Sequence, residues 1–343
     1  MAGASTPTGP LAVTMGEPAG IGGELCLKAW IARDRDVPPF CVLDDPDRLR
    51  ALARTIAVEV PVEVVDDVSD AGATWPRALP VRPIPLSRPV TPGRPDGDNA
   101  NAVMLAIEQA VDLAMSGKVA AVVTLPIQKN VLYGAGFRHP GLTEYVASLS
   151  GDQAKPVMML ACPQLRVVPV TVHQPLQRAV STLSREAIVH CGRVAAEALS
   201  RDFGIGAPRL SVAALNPHAG ENGSLGREEI EIILPAVEEL LQLGIDAKGP
   251  LPADSLFIDT ARRRYDAALC MYHDQALIPL KTIDFRHGVN VTLGLTIVRT
   301  SPDHGTALGI AGRGIADPTS LMEALRMARA VAARRASVRD GAV

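Results

Sequence analysis

Short apolar runs recur along the chain, each too short for a helix and each closed by a polar or glycine-bearing corner: 11–15 (LAVTM), 119–123 (VAAVV), 157–161 (VMMLA), 165–172 (LRVVPVTV), 210–215 (LSVAAL) and 267–272 (AALCMY). Runs of this length that are apolar at nearly every position read as strands buried on both faces, the pattern of a parallel sheet. Between them lie segments with helical spacing. Residues 101–116 place Met104, Ile107, Ala110, Val111 and Ala114 on one stripe and stop at Gly117; Ser184 opens a helix that runs to Phe203; residues 227–243 and 320–335 follow suit. Strands alternating with helices of this kind predict an α/β fold with helices on both faces of the sheet. A chain of 343 residues exceeds what one core organises, so two α/β/α lobes are expected.

The first strand meets the turn GEPAGIGGE, whose glycines do not have the spacing of a dinucleotide fingerprint or a P-loop. The turn is either a tight corner or a set of backbone N–H groups offered to a phosphate. Residues 76–95 hold seven prolines and read as an extended crossover on the surface. Lys129 follows a strand end in TLPIQKN, where open α/β sheets place ligands, although a solvated lysine is an equal reading.

A net charge of -3 and an aromatic content of 3% argue against a nucleic-acid partner, which would call for a basic face and stacking platforms. The five cysteines are scattered, without a C-x-x-C pair, and read as reduced, buried small hydrophobes. No apolar run reaches the length of a membrane span and residues 1–10 lack the regions of a signal peptide, so a cytoplasmic protein without membrane association is expected.

Chemistry concentrates at strand ends. VVPVTVH, LSVAALNPH and AALCMYH each place a histidine just past a buried strand: His173, His218 and His273. Parallel strands bring such ends to one crevice, and three neutral imidazoles converging there would make a catalytic-type divalent metal site, Zn²⁺ first, with Co²⁺, Mn²⁺ or Mg²⁺ as alternatives. Singly, each of these histidines also reads as a satisfied polar residue at a strand end. His190, His139 and His287 read as structural or solvated.

Near the C-terminus, DHGTALGIAGRGIADP closely resembles the adenosine-binding loop of the isocitrate and isopropylmalate dehydrogenases, H-G-[ST]-A followed by I-A-G-[KR]-G-I-A-[ND]-P. That loop would bind NAD or NADP through His304, Gly305, Thr306, Ala307, Ile310 and Asp317. MGEPAGIG, LNPHAGE, GPLPADSLF, MYHDQ, RHGVNVTLGL and RTSPDHGTA, in collinear order over almost the whole length, resemble the 4-hydroxythreonine-4-phosphate dehydrogenase family.

The resemblance implies a two-domain α/β/α fold of the isocitrate and isopropylmalate dehydrogenase type with a cleft between domains. One domain would hold residues 1–125 plus 300–343 with the nucleotide loop, the other residues 126–299 with the metal ligands and the dimer interface. It implies a homodimer with shared active sites, and a divalent metal held by His173, His218 and His273, one of them donated across the dimer. A small phosphorylated substrate would be bound by Thr143, Lys281, Asn290 and Arg299, with Lys281, Asp254 and Asp274 as candidates for proton transfer or for orienting a histidine. The implied reaction is oxidation of 4-phosphooxy-L-threonine to a 3-keto acid that decarboxylates to 3-amino-2-oxopropyl phosphate, in pyridoxal phosphate biosynthesis. Two positions depart from the family pattern: Leu142 replaces the histidine of G-H-T-E, and Leu125 stands where T-G-P or T-N-P is common. Other readings are a paralogue acting on threonate or erythronate 4-phosphate or on a carboxylated dihydrodiol, and a three-histidine protein without redox chemistry.

Overall fold

The structure, a computed structural model, describes residues 9–152 and 155–340. Its strands are β1 (Leu11–Thr14), β2 (Phe40–Asp44), β3 (Val62–Val64), β4 (Leu79–Pro83), β5 (Ala121–Val123) and β6 (Val157–Cys162). They continue with β7 (Leu165–Pro169), β8 (Arg209–Ala213), β9 (Asp246–Leu251), β10 (Ala267–Cys270), β11 (Val289–Leu293) and β12 (Arg299–Pro302). The helices that matter to the site are α1 (Gly22–Ile31), α2 (Pro46–Thr55), α3 (Ala100–Met115), α4 (Leu142–Leu149), α5 (Arg185–Arg201), α6 (His273–Ile283) and α7 (Thr319–Asp340).

The chain divides into two compact units, Met1–Pro156 with Leu295–Val343, and Val157–Gly294. The sequence reading set the bounds at 125/126 and 299/300. The stretch after β5 falls in the first unit because Leu132, Phe137, Tyr145 and Val146 sink into the same core as Val103, Ile107 and Val111 of α3.

In the first unit the strand order is β3-β4-β2-β1-β5-β12 and every ladder is parallel. All the corners that follow these strands therefore lie along one edge. The proline-rich segment is more than a crossover, since β4 lies inside it and pairs on both sides. Leu79 and Val81 bond to the β3 side, so Pro80 faces β2, whose ladder begins only at Val42 opposite Val81. The missing N–H of Pro80 thus costs no ladder bond.

In the second unit the order is β11-β6-β7-β10-β8-β9. β7, β10, β8 and β9 run parallel, while β6 pairs antiparallel with both β7 and β11. α5 begins where Ser184 accepts from the N–H of Ala187 at 3.2 Å, the expected N-cap. The expected helix over 227–243 is present as one continuous helix, with a π-helical turn at Glu229–Ile233 that runs directly into the α-helix at Leu234–Gln242. All five cysteines are free and buried.

Candidate active site

β7, β10 and β8 are consecutive parallel neighbours, and each is followed by one of the three candidate histidines. His173 and His273, each just beyond the end of one of two adjacent strands, stand with ring centroids 5.7 Å from each other. His273 opens α6, and its Nδ1 lies 2.7 Å from Asp274 Oδ1. With the proton of Nδ1 donated to that carboxylate, Nε2 is left as the lone-pair nitrogen, the arrangement in which a carboxylate supports a metal-ligating imidazole.

His218 follows β8 on a different kind of corner. His173 has φ 44°, and His218, Ala219, Gly220, Glu221 and Asn222 form one left-handed turn with φ between 42° and 76°. Each non-glycine residue held there costs about 1–2 kcal/mol. The short helix Ala253–Leu256, which bears Asp254, packs on this turn. Among the described residues no three His, Cys, Asp or Glu side chains are gathered closely enough to hold a metal ion within one chain. His173 and His273, with a carboxylate behind one ring, nevertheless fit a divalent cation as part of its ligand set, because imidazole nitrogen suits Zn²⁺ and related ions.

Two turns along α6 from His273, Lys281 lies with its Nζ 5.7 Å from the Phe285 ring centroid. His273, Asp274, Leu277, Ile278, Lys281 and Thr282 line an open cavity of about 450 Å³. On β11, Asn290 keeps its side-chain Oδ1 buried without a hydrogen-bond partner, an orphan acceptor of the kind that a ligand donor satisfies.

The first unit presents a second group of polar residues at its strand ends. Arg299, buried at the start of β12, donates Nε and Nη2 to Thr124 Oγ1 at 2.9 and 2.6 Å, and Nη1 to Thr143 Oγ1 at 3.4 Å. Burial pulls the guanidinium pKa down to about 10, opposed by the nearby Glu144 carboxylate, so it remains charged at neutral pH. A buried cation flanked by hydroxyls is suited to a phosphate or carboxylate. Lys129 is tied down, its Nζ donating to Pro140 O at 2.9 Å.

The GEPAGIG turn answers the question left open by its sequence. The N–H groups of Glu17, Ala19, Gly20 and Ile21 are already donated, to Pro126 O, Glu17 Oε1, Glu17 O and Thr306 O. Its glycines admit close packing: a Cβ on Gly16, which has φ +62°, would stand 2.7 Å from Leu125 Cβ, and one on Gly20 2.8 Å from Thr306 O. Leu125 is completely buried beneath Gly16 and Gly22, which makes it a packing residue. Leu142 likewise packs on the core of this unit, at the first position of α4.

The loop over residues 304–317 is fixed from behind by α1. Glu24 accepts from Ala316 N at 2.8 Å and Gly314 N at 3.3 Å, and Lys28 donates to Gly314 O at 2.9 Å and Ala316 O at 2.6 Å. The positions where Gly305 and Gly309 would carry a Cβ are open, so bare backbone is presented on that side, as a nucleotide-binding loop requires. Ala307 takes a left-handed conformation just before the short turn at Leu308–Ile310. His304 Nδ1 donates to Gly305 O at 2.9 Å, and Asp317 accepts from Thr319 N and Oγ1 at 3.0 and 2.6 Å, capping α7. Sequence reasoning missed Glu24, Lys28 and Thr124. The first two are an i,i+4 pair on α1, but nothing local says that they reach nearly 300 residues ahead.

Residues 36–328 match the family described as pyridoxal phosphate biosynthetic protein PdxA. The 4-hydroxythreonine-4-phosphate dehydrogenase of Caulobacter vibrioides is 53% identical over 331 residues, covering 95% of this chain and 98% of that protein. A solved 4-hydroxythreonine-4-phosphate dehydrogenase from Klebsiella pneumoniae superposes with a TM-score of 0.85 at 36% identity, over 94% of this chain and 99% of that one. A terephthalate 1,2-cis-dihydrodiol dehydrogenase from Burkholderia xenovorans LB400 is more distant, with a TM-score of 0.62 at 27% identity over 94% and 97%.

Proposed function

The chain belongs to the PdxA family of pyridoxal phosphate biosynthetic proteins, and from that premise we propose that it oxidises 4-phosphooxy-L-threonine as a metal-dependent, NAD- or NADP-linked 4-hydroxythreonine-4-phosphate dehydrogenase. The observation that carries the metal part of this reading is the pair His173 and His273 on adjacent strand ends, with Asp274 behind the second ring.

When bound, a divalent cation would supply electron withdrawal at the reacting hydroxyl and a nicotinamide would supply the hydride acceptor. This chain's residues do the rest. His173, His218 and His273 are assigned as the metal ligands, one of them reaching the site of a partner subunit in a homodimer. Asp274 keeps the His273 ring oriented through Nδ1. Arg299, Thr143 and Lys281 are assigned to an anionic group of the substrate, and Asn290 to a donor on it, since its orphan Oδ1 would accept from a substrate hydroxyl or ammonium. Lys281 and Asp254 are the candidates to take the hydroxyl proton. Residues 304–317 are assigned to the adenosine end of the cofactor, with the open backbone at Gly305 and Gly309 allowing close approach.

A homodimer is supported by the large apolar side chains left exposed on the second unit, among them Leu176, Leu241, Leu243, Ile258, Ile278 and Phe285. No helix among the described residues is long and apolar enough to cross a membrane; a cytoplasmic location is part of the proposal.

The test is NADH and NADPH formation with 4-phosphooxy-L-threonine, threonate 4-phosphate, erythronate 4-phosphate and a carboxylated dihydrodiol, before and after chelation and dialysis. The first substrate should be preferred and turnover should vanish on metal removal and in His218→Ala. Turnover of another member of the panel in its place, or full activity after chelation, would overturn the proposal.

A further inference from the structure

The left-handed turn that carries His218 is held by a side chain outside it. Glu229, the first residue of the π-turn and only 3% exposed, accepts from the N–H of Leu215 at 2.8 Å and of Asn216 at 2.7 Å through Oε1. Its Oε2 accepts from Asn216 Nδ2 at 2.9 Å, and Glu228 takes the other proton of that amide at 2.7 Å. The same carboxylate supports the middle of the turn: a Cβ on Gly220 would stand 2.6 Å from Glu229 Oε2 and 3.0 Å from Gly226 O. One carboxylate thus grips the entry to the turn at residues 215–216 and its underside at Gly220. Left-handed backbone over several residues persists only where its surroundings over-determine it.

We infer that Glu229 is the positioning residue for His218, setting the direction of its imidazole by clamping the turn on which it stands. The inference rests on the reading of His218 as a metal ligand. Glu229 has no need to approach the cation; its effect passes through the backbone.

The experiment is titration of the metal-free, full-length protein with Zn²⁺ against a competing chelator, in the wild type, His218→Ala, Glu229→Gln, Glu229→Ala and the two double variants. Glu229→Gln keeps an oxygen for the backbone N–H groups but turns an –NH₂ toward Asn216 Nδ2, and should weaken zinc binding about 10-fold. Glu229→Ala should weaken it about 100-fold, within the range over which outer supports of metal ligands act. In the His218→Ala background neither change should weaken binding further, and amide exchange at Leu215 and Asn216 should accelerate in both single variants. A variant that fails to fold leaves the other to decide. Zinc affinity that depends on His218 but ignores both Glu229 changes overturns the inference, as does an equal loss in the His218→Ala background, which would mark general destabilisation. Zinc affinity indifferent to His218 instead overturns the metal reading itself, and the positioning role with it.

Discussion

Arg299 and Thr124 meet through two hydrogen bonds to one oxygen: Nε and Nη2 of the guanidinium both donate to Thr124 Oγ1, at 2.9 and 2.6 Å. The charge is held deep in the first unit beside hydroxyl groups, a costly arrangement that an anionic ligand would offset.

Arg299→Met is therefore expected to lower kcat/KM for the phosphorylated substrate by at least ~100-fold, while the melting temperature at neutral pH falls only modestly, since the lost hydrogen bonds to Thr124 and Thr143 are offset by removal of the cation's desolvation cost. The sign follows from linkage. The folded pKa of about 10 lies below that of a free guanidinium, so the cost of burying the cation is fully present below pH 10 and fades only as the pH climbs past it. Calorimetry and steady-state kinetics on one preparation check both halves; a large loss of stability would make Arg299 a structural residue.

Asp274→Asn leaves the His273 ring without its anionic support. Zinc affinity should fall ~10–100-fold, with little change in the melting temperature of the metal-free protein, because the Asp274 side chain is 69% exposed. Equal loss of metal-free stability would refute the orienting role.

Leu125→Ala separates packing from substrate recognition. Leu125 is fully buried against Gly16 and Gly22, so its truncation should cost about 2–5 kcal/mol. KM for 4-phosphooxy-L-threonine should stay within about twofold at a temperature where the variant is folded. Gly16→Ala should destabilise as well, by forcing a Cβ into the same space at φ +62°. A large KM change in Leu125→Ala with intact stability would return that residue to the substrate pocket.

Asp284 offers a pH test away from the candidate site. Burial pushes its carboxyl pKa up, but hydrogen bonds from the side chain and backbone of His287 outweigh this and leave it below the ordinary 3.8. A depressed folded pKa stabilises the protein above the unfolded value and is lost as the pH falls through the folded one. The slope of stability against pH below about 4 should be shallower in Asp284→Asn, measured by denaturant unfolding.

The α/β class could be read from the chain because parallel strands covered on both faces are apolar at every position, which is visible without any partner strand. Histidines at strand ends were visible for the same reason. β4 was not, because Pro80 and Pro83 mask a strand whose tolerance of proline depends on where the β2 ladder begins. The π-turn was hidden because its residues keep helical spacing, and Glu229 because its bonds to residues 215 and 216 depend on a left-handed turn that no local pattern announces. Leu125 looked like a change in a binding motif; only the glycines packed over it identify its role.

The clamp of Glu24 and Lys28 on residues 314–316 joins the beginning of the first unit to its end, with the whole second unit interposed. During synthesis the interposed unit is complete while its host still lacks β12 and α7. The nascent chain must therefore carry an unfinished sheet past a finished neighbour, and a ribosome that stalls before residue 295 leaves the outer edge of β5 exposed.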